Sequence, residues 1–197
     1  ERLRILAITL SFLLLVVMLV GCLVPAAETP KPTPQPKRTL TPHETVAFPD
    51  ASLEKAVRDA LGKPAGEQII AADLAKLTSL CAGFYGISDL SGLEYCTNLT
   101  ELSIAGCQVS DISCLSSLTN LRTLSLSGNP ISDISPLASL INLTRLALPA
   151  TQVHDISPLS SLTNLNELHI WGNQISDVSP SGQEHTDMIG VARLGIF

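Results

Sequence analysis

The sequence predicts an α/β solenoid, a right-handed superhelix whose short parallel strands form one sheet, with a helical cap at its N-terminal end. The first observation is a period of 22 residues that keeps apolar side chains in register from Leu77 to Val178. The second is a brief alternation of apolar and polar residues within each period, which is typical of a strand buried on one side. The third is an amphipathic helical pattern just before the first period.

One full period carries seven apolar positions. In the second period they are Leu99, Leu102, Ile104, Val109, Ile112, Leu115 and Leu118. The same positions recur 22 residues later, from Leu121 to Leu140, and again from Leu143 to Leu162. The apolar burial within one period falls short of the conformational entropy that is lost when the period becomes ordered. One period alone should therefore not fold, whereas a stacked array should.

The motif L-x-x-L-x-L-x-x-N-x-L at this spacing is typical of leucine-rich repeats. The phrase Ile-Ser-Asp-Ile-Ser-Pro-Leu at residues 131–137, together with the 22-residue period, resembles the internalin-like class of bacterial leucine-rich repeats. The resemblance implies repeats over residues 77–180, with the sheet on the concave face of the superhelix. It also implies an asparagine in the turn after each strand, which Asn129 and Asn173 supply. Tyr85 fits this turn position poorly, so we expect local irregularity there.

A column of aspartates also follows the 22-residue period. Its members are Asp89, Asp111, Asp133, Asp155 and Asp177. Several carboxylates in line could bind Ca²⁺. Each aspartate could instead cap the short helical turn that follows it, by accepting hydrogen bonds from backbone N–H groups. No repeat adds a second carboxylate beside the first, which favours the caps.

Residues 48–76 are predicted to form the helical N-terminal cap. Apolar residues between Leu53 and Leu61 fall on one helical face, and oppositely charged residues four positions apart fall on the other. Asp50 is the expected N-cap, and Gly62 follows the last residue of the pattern. In internalin-like proteins, which this segment resembles, such a helix covers the open end of the core beside the first strand.

Residues 1–21 are predicted to be a lipoprotein signal peptide. Two arginines precede a long apolar run, which is the pattern of an export signal. The run ends in Leu19-Val20-Gly21-Cys22, which resembles the lipobox of bacterial lipoproteins. The resemblance implies cleavage after Gly21 and lipidation of Cys22 with acyl chains such as palmitate. An uncleaved membrane helix is the alternative, since about 20 apolar residues can span a bilayer.

The two remaining segments lie on either side of the folded part. Residues 22–47 begin with the lipidated cysteine and are rich in Pro and Thr, which predicts an extended linker. Residues 181–197 keep apolar residues but lose the period, and we expect an irregular or truncated C-terminal tail. The predicted localisation is the cell membrane or the outer membrane, where the lipid-anchored protein would be exposed outside the cytoplasm.

The sequence predicts neither an enzyme nor a cofactor or metal site. The four histidines stand apart from one another and from any cysteine pair at metal-ligand spacing. The common nucleotide-binding and hydrolase motifs are missing from the sequence. The net charge of −6 argues against nucleic acid as a partner, because phosphate binding depends on Lys and Arg. The cysteines other than Cys22 have spacings that fix no disulfide pairing, and they are Cys81, Cys96, Cys107 and Cys114.

The outward side chains of the strands are the predicted ligand-binding positions. Binding energy concentrates in Trp, Tyr and Arg. The candidates on the concave face are Glu101, Arg145, Glu167, His169 and Trp171. We therefore expect a surface-anchored protein that binds a protein or a cell-surface glycan without catalysis. The alternatives are a structural envelope module without a specific ligand, and a fragment of a larger enzyme or adhesin whose downstream domain is missing.

Overall fold

The computed structural model describes residues 40–175. Two helices come first, α1 over Ala51–Leu61 and α2 over Ala71–Leu74. The strands that follow are β1 Ser79–Cys81, β2 Glu101–Ser103, β3 Thr123–Ser125, β4 Arg145–Ala147 and β5 Glu167–His169. The connections between strands contain 3₁₀ turns, at Leu93–Tyr95, Ser113–Ser117, Ser135–Ser139 and Ser157–Ser161.

Several predicted features lie outside the described residues. These are the signal peptide, the lipidation site Cys22, nearly all of the linker, the C-terminal tail and the last aspartate of the column, Asp177. Within residues 40–175, no helix has the length and the apolarity that a membrane span requires.

The five strands form one parallel sheet in chain order, as the period predicts. Each strand pairs with the next one in the same register, which stacks the central leucines in one column. The column consists of Leu80, Leu102, Leu124, Leu146 and Leu168. These side chains are between 1 % and 5 % exposed, and the residues beside them in each strand are exposed or half-buried. The predicted solenoid with a single parallel sheet is confirmed.

The column of aspartates caps the 3₁₀ turns. In each of the four described repeats, the aspartate Oδ1 accepts a hydrogen bond of 2.8 Å from the backbone N–H of the serine two residues later. This contact satisfies a donor at the start of the turn that has no partner within the turn itself. Among residues 40–175, no three His, Cys, Asp or Glu side chains are grouped as a metal site would require. The contacts therefore support the capping interpretation of the column.

Polar side chains also tie each repeat to the one before it. Four asparagines donate from Nδ2 to a backbone carbonyl 23 residues earlier, over 2.7 to 2.9 Å, and they are Asn98, Asn120, Asn142 and Asn164. Serine hydroxyls form a second ladder, which includes Ser139 donating to the carbonyl of Ser116 at 2.8 Å. These bonds reach carbonyl groups that the short strands leave without a partner.

The turn after β3 shows why asparagine suits its position. Asn129 is 2 % exposed and donates from Nδ2 to the carbonyls of Ile104 and Leu126, at 2.6 and 2.9 Å. Its Oδ1 accepts from the N–H of Val109 at 3.0 Å, so one amide serves two repeats. Cys107 takes the same position one repeat earlier, and its thiol makes long contacts of 3.5 and 3.8 Å to the carbonyls of Ala82 and Ala105.

The turn after β1 keeps the backbone conformation of the later turns, so the irregularity expected at Tyr85 is confined to the side chains of Phe84 and Tyr85. Phe84 has a φ of 64°, in the left-handed region that favours glycine. Its equivalents in the next repeats are Gly106, Gly128, Ala150 and Gly172, with φ between 51° and 71°. Tyr85 is 41 % exposed, whereas Asn129 at the same position of its repeat is buried. The phenol of Tyr85 thus does not take over the inward role of the asparagine.

Helix α1 has the boundaries that the sequence predicts. Asp50 accepts hydrogen bonds at Oδ1 from the N–H groups of Ser52 and Leu53, at 2.9 and 3.0 Å, and Gly62 ends the helix with a φ of 66°. Leu53 and the other buried residues of α1 belong to the same apolar core as the strands. That α1 protects the end of this core stays a prediction.

Asp50 also joins α1 to the first repeat. Its second carboxylate oxygen, Oδ2, accepts hydrogen bonds from the N–H and the hydroxyl of Ser88, at 2.8 and 3.2 Å, and from the N–H of Asp89 at 3.3 Å. Partial burial works to raise the pKa of Asp50, but the bonds from Ser88, Leu53 and Asp89 outweigh it and hold the pKa below its ordinary value. The ionised carboxylate therefore stabilises the contact between the helix and the repeat.

Replacement of Asp50 tests this coupling. We expect Asp50→Ala to lower the free energy of unfolding by about 2 to 3 kcal/mol, because it removes the helix cap and the bonds to the turn. Asp50→Ser retains an oxygen for the cap and should lower the free energy of unfolding by about 1 kcal/mol. Urea denaturation of the full chain at pH 7 measures both. Asp59→Ala, which removes an exposed ion pair from the same helix, is the control and should leave the midpoint nearly unchanged.

The difference in stability between the wild type and Asp50→Ala should depend on pH. Folding lowers the pKa of Asp50 from its ordinary value of 3.8. The stability that the Asp50 carboxylate contributes is therefore complete above pH 3.8 and is lost as the pH falls through the folded pKa. The difference in unfolding free energy between the wild type and Asp50→Ala should therefore narrow as denaturation is repeated from pH 6 down to about pH 2. A difference that stays constant over this range would contradict the assignment.

Candidate functional site

The outward side chains of the strands form two rows, which we call the outer sheet face. The first row consists of Ser79, Glu101, Thr123, Arg145 and Glu167. The second consists of Cys81, Ser103, Ser125, Ala147 and His169. Both rows cross all five strands at a right angle to the chain, with about 4.8 Å between neighbouring strands. The rows have the composition that the sequence predicts.

Three of the predicted ligand-binding residues form a charged cluster on β4 and β5. Arg145 Nε lies 2.8 Å from Glu167 Oε2, and His169 Nε2 lies 3.0 Å from Glu167 Oε1. The side chain of Arg145 is 65 % exposed, and that of Glu167 is 35 % exposed. One carboxylate thus holds both basic side chains on the outer sheet face, and its position fixes the guanidinium toward β5.

Glu167 is ionised more readily than an ordinary glutamate. The hydrogen bond with His169 is the main cause that lowers the pKa of Glu167. Desolvation, the next largest effect, opposes it, and the charge of Arg145 lowers the pKa further. The cluster therefore carries a fixed negative charge between two basic groups at neutral pH. An arrangement of this kind orients charges, and it contains no nucleophile beside a base as acyl transfer would need.

The other two predicted residues lie apart from the cluster. Glu101 is two strands from Arg145, and its Oε2 accepts a hydrogen bond of 3.4 Å from the hydroxyl of Ser79. Trp171 follows β5 by two residues and is 53 % exposed. Its backbone carbonyl accepts from the N–H of Ala150 at 2.9 Å, which continues the parallel pairing beyond the strands. Glu101 therefore lies on the outer sheet face apart from the cluster, and Trp171 lies two residues beyond the last strand of that face.

The alternation of β4, continued two residues beyond the strand, predicts an outward side chain for Pro149. The structure corrects this prediction, because the residue is buried. The Pro149 carbonyl accepts from the N–H of Gly128, and the next residue, Ala150, bonds to Trp171, so neighbouring chain lies on both sides of the compact proline. The outward surface beside Trp171 is therefore smaller than the sequence predicts.

Two exposed aromatic residues were missed by the sequence analysis as candidates. Phe84 is 85 % exposed, and a Cβ added to Gly106 would lie 2.4 Å from its ring, so the ring rests on the turn of the next repeat. Beside it, Lys55 Nζ lies 5.6 Å from the centre of the Tyr85 ring. The signal in the sequence is the phenylalanine at a position that three later repeats fill with glycine.

The described cysteines are free thiols. Cys96 and Cys107 are buried in the core, and Cys81 is exposed on the outer sheet face. Burial raises the pKa of both Cys96 and Cys114 to about 12, and the charge of Glu94 adds to the rise. These two thiols are therefore held in the unreactive, protonated form.

Comparison with known proteins agrees with this architecture. The family model for leucine-rich repeats in two copies matches residues 97–139, 119–152 and 141–182. That part of the chain belongs to the leucine-rich repeat family, and the fold is a leucine-rich repeat solenoid. Among curated proteins, none matches the chain significantly.

Solved structures give the second comparison. An internalin of Listeria monocytogenes is 34 % identical over 66 % of this chain and 46 % of its own, with a TM-score of 0.53. Internalin C2 of the same species is 30 % identical over 67 % of this chain and 88 % of its own, with a TM-score of 0.38. A leucine-rich repeat protein of Leptospira interrogans, 24 % identical over 53 % of this chain and 28 % of its own, shares the fold at a TM-score of 0.50. The repeats are thus similar to those of internalins, and the chain spans about half the length of the first of them.

The charged cluster makes a prediction about titration. His169→Ala should raise the pKa of Glu167 toward its ordinary value of 4.5, and Arg145→Gln should raise it by less, because the hydrogen bond is the larger cause of the shift. NMR titration of the glutamate side-chain carbons measures both variants. The pKa of Asp155, lowered by Ser157 in another part of the repeat, is the internal control and should be the same in all proteins. An unchanged titration of Glu167 in both variants would show that the cluster does not form in solution.

Proposed function

We propose that this protein is a surface-anchored, non-catalytic binding module whose outer sheet face contacts a partner protein. The observation that carries the proposal is the charged cluster of Arg145, Glu167 and His169 on that face, with Trp171 exposed two residues after β5. Arginine and tryptophan are the residue types that contribute most to protein interfaces. Leucine-rich repeat folds similar to internalins are commonly used for protein binding, which supports the same conclusion.

A rigid array suits this role. The side chains of the outer sheet face project from a backbone whose strands are paired to neighbours throughout the sheet. Their positions are set before a ligand arrives, so little conformational entropy is lost on binding. The proposed site therefore needs few strong contacts, and the cluster and the tryptophan supply them.

A structural envelope module is the second candidate. Its support is the composition of the rest of the outer sheet face, where most positions hold Ser, Thr or Ala, which contribute little to interfaces. In that case Arg145 and Trp171 would be ordinary exposed side chains without a ligand.

Capture of surface proteins by the immobilised full chain separates the two candidates. We expect the double variant Trp171→Ala with Arg145→Ala to retain partner proteins at least about tenfold less well than the wild type, because it removes two strong contacts. Quantitative mass spectrometry of cross-linked partners measures the difference. Ile141→Ala is the matched control, since Ile141 is 53 % exposed like Trp171 but lies in the turn that precedes β4.

Three outcomes would contradict the proposed site. Unchanged capture by the double variant removes it, and an equal loss with Ile141→Ala shows non-specific adhesion. Loss of capture only with Phe84→Gly would transfer the binding site to the first turn of the array. Glycan arrays probed with the same proteins show whether a cell-surface glycan takes the place of the protein partner.

The anchor is proposed to be lipid on Cys22, after removal of residues 1–21. Mass spectrometry of the mature N-terminal peptide should show Cys22 as the first residue, with a mass increase that corresponds to diacylglycerol and further acyl chains. Cys22→Ser should abolish both the lipid mass increase and the cleavage after Gly21, whereas Cys81→Ser should change neither. Recovery of an intact peptide that spans Gly21 and Cys22 would favour the uncleaved membrane helix instead.

A further inference from the structure

We infer that the outer sheet face accepts a polypeptide segment of the partner that places a carboxylate against Arg145 and a basic group against Glu101. This inference rests on the proposed function and adds the chemistry of the ligand. It follows from the charges along the first row, which are negative at Glu101, absent at Thr123, positive at Arg145 and negative at Glu167.

Arg145 keeps free donors for a second carboxylate. Its ion pair with Glu167 joins Nε to Oε2 at 2.8 Å, and the side chain is 65 % exposed, so a ligand can reach it from solvent. A guanidinium carries five N–H donors in a fixed plane and can pair with two carboxylates along different edges. Glu167 is therefore a positioning residue that holds this plane in place.

Glu167 repels a ligand carboxylate at Arg145 less than a glutamate without basic partners would at the same distance. Its Oε1 lies 3.0 Å from His169 Nε2, so both oxygens of Glu167 already have a basic partner. The groups that face His169 on the described strands are Glu167 on the same strand and Ala147 on β4, with Arg145 beyond Glu167. A ligand carboxylate thus meets a cluster in which the acid is shared between two basic groups.

Glu101 is the second residue that the ligand is expected to contact. It lies two strands from Arg145, about 10 Å away at the usual spacing of strands, with the uncharged Thr123 between them. The hydroxyl of Ser79 bonds to Glu101 at 3.4 Å and holds the carboxylate without neutralising it. Side chains two to four residues apart in an extended peptide are about 7 to 13 Å apart, which brackets this separation.

The alternation of charge selects a polypeptide over other ligands. A polyanion such as nucleic acid or an acidic glycan would meet Arg145 but would be repelled by Glu101, Glu167 and the net charge of −6. A neutral glycan could hydrogen-bond to Arg145 and Glu101 through its hydroxyl groups, but it carries no charge that complements either side chain. Opposite charges at a fixed short spacing are a common property of protein side chains, so charge complementarity favours a protein segment.

Selection of random peptides tests this spacing of opposite charges without knowledge of the natural partner. Phage that display random 12-residue peptides are selected on the immobilised full chain, with Arg145→Gln, Arg145→Glu and Glu101→Lys as variants. We expect wild-type binders to be enriched in an acidic and a basic residue two to four positions apart. A synthetic peptide from that pool should bind Arg145→Gln about tenfold more weakly, as the loss of one charge-assisted hydrogen bond predicts.

The variants should change the selected peptides in opposite ways. Arg145→Glu should remove the enrichment of Asp and Glu, and Glu101→Lys should remove the enrichment of Lys and Arg. The matched controls are Arg122→Glu, at an exposed arginine just before β3 and outside both rows, and Asp59→Lys on α1. Both controls should leave the pattern as in the wild type, and circular dichroism checks that every variant is folded.

The outcomes distinguish this inference from the proposed function. Peptides without the charge pattern that still fail to bind the Trp171→Ala and Arg145→Ala double variant would overturn the inference and leave the binding face intact. Peptides that bind the double variant as well as the wild type would overturn both. The absence of enriched peptides, or a loss of pattern with Arg122→Glu equal to that with Arg145→Glu, also counts against the inference.

Discussion

Each repeat of this protein depends on its neighbour for the partners of its backbone. The strands are only three residues long, and each is hydrogen-bonded to strands whose residues lie 22 positions away in the chain. Asn120 and Ser139 add bonds from side chains to carbonyl groups 23 residues earlier. Because nearly all of these bonds join adjacent repeats, an isolated repeat would leave them unmade and would expose its leucines. The residues at the interface between adjacent repeats must therefore recur with the period.

On its N-terminal side, the first repeat contacts an element of a different kind. Helix α1 contributes Leu53 and Val57 to the same core that the strands form. Asp50 links the two kinds of structure, since one of its oxygens caps the helix and the other binds the turn at Ser88. A single carboxylate thus sets both where the helix begins and how it sits on the array. This contact joins residues 38 positions apart and follows no period.

The difference between contacts that recur in every repeat and contacts that occur once explains how much of the structure could be predicted from the sequence. The leucine column, the parallel register and the aspartate caps repeat, so each copy supports the interpretation of the others. The neighbours of Glu167 were also predictable, because Arg145 lies one period earlier and His169 two residues later on the same face. Contacts that occur once gave no such signal, as the bond from Ser88 to Asp50 shows. The burial of Pro149 and the exposure of Phe84 depend on how neighbouring turns pack, which the alternation of a strand does not describe.

The same constraint separates the structural residues of the array from those that are free to serve a ligand. Outward positions of the strands take no part in stacking, and the array accepts serine at residue 79, threonine at residue 123 and glutamate at residue 167 in one row. Stacking therefore does not require a charged cluster on β4 and β5, nor an exposed tryptophan after it. Small neighbours such as Ser125 and Ala147 leave the backbone close to the surface, so a ligand can approach the sheet without displacing bulky side chains. A rigid sheet face with few charged groups gives specificity through the placement of those charges, because the backbone holds them at fixed distances.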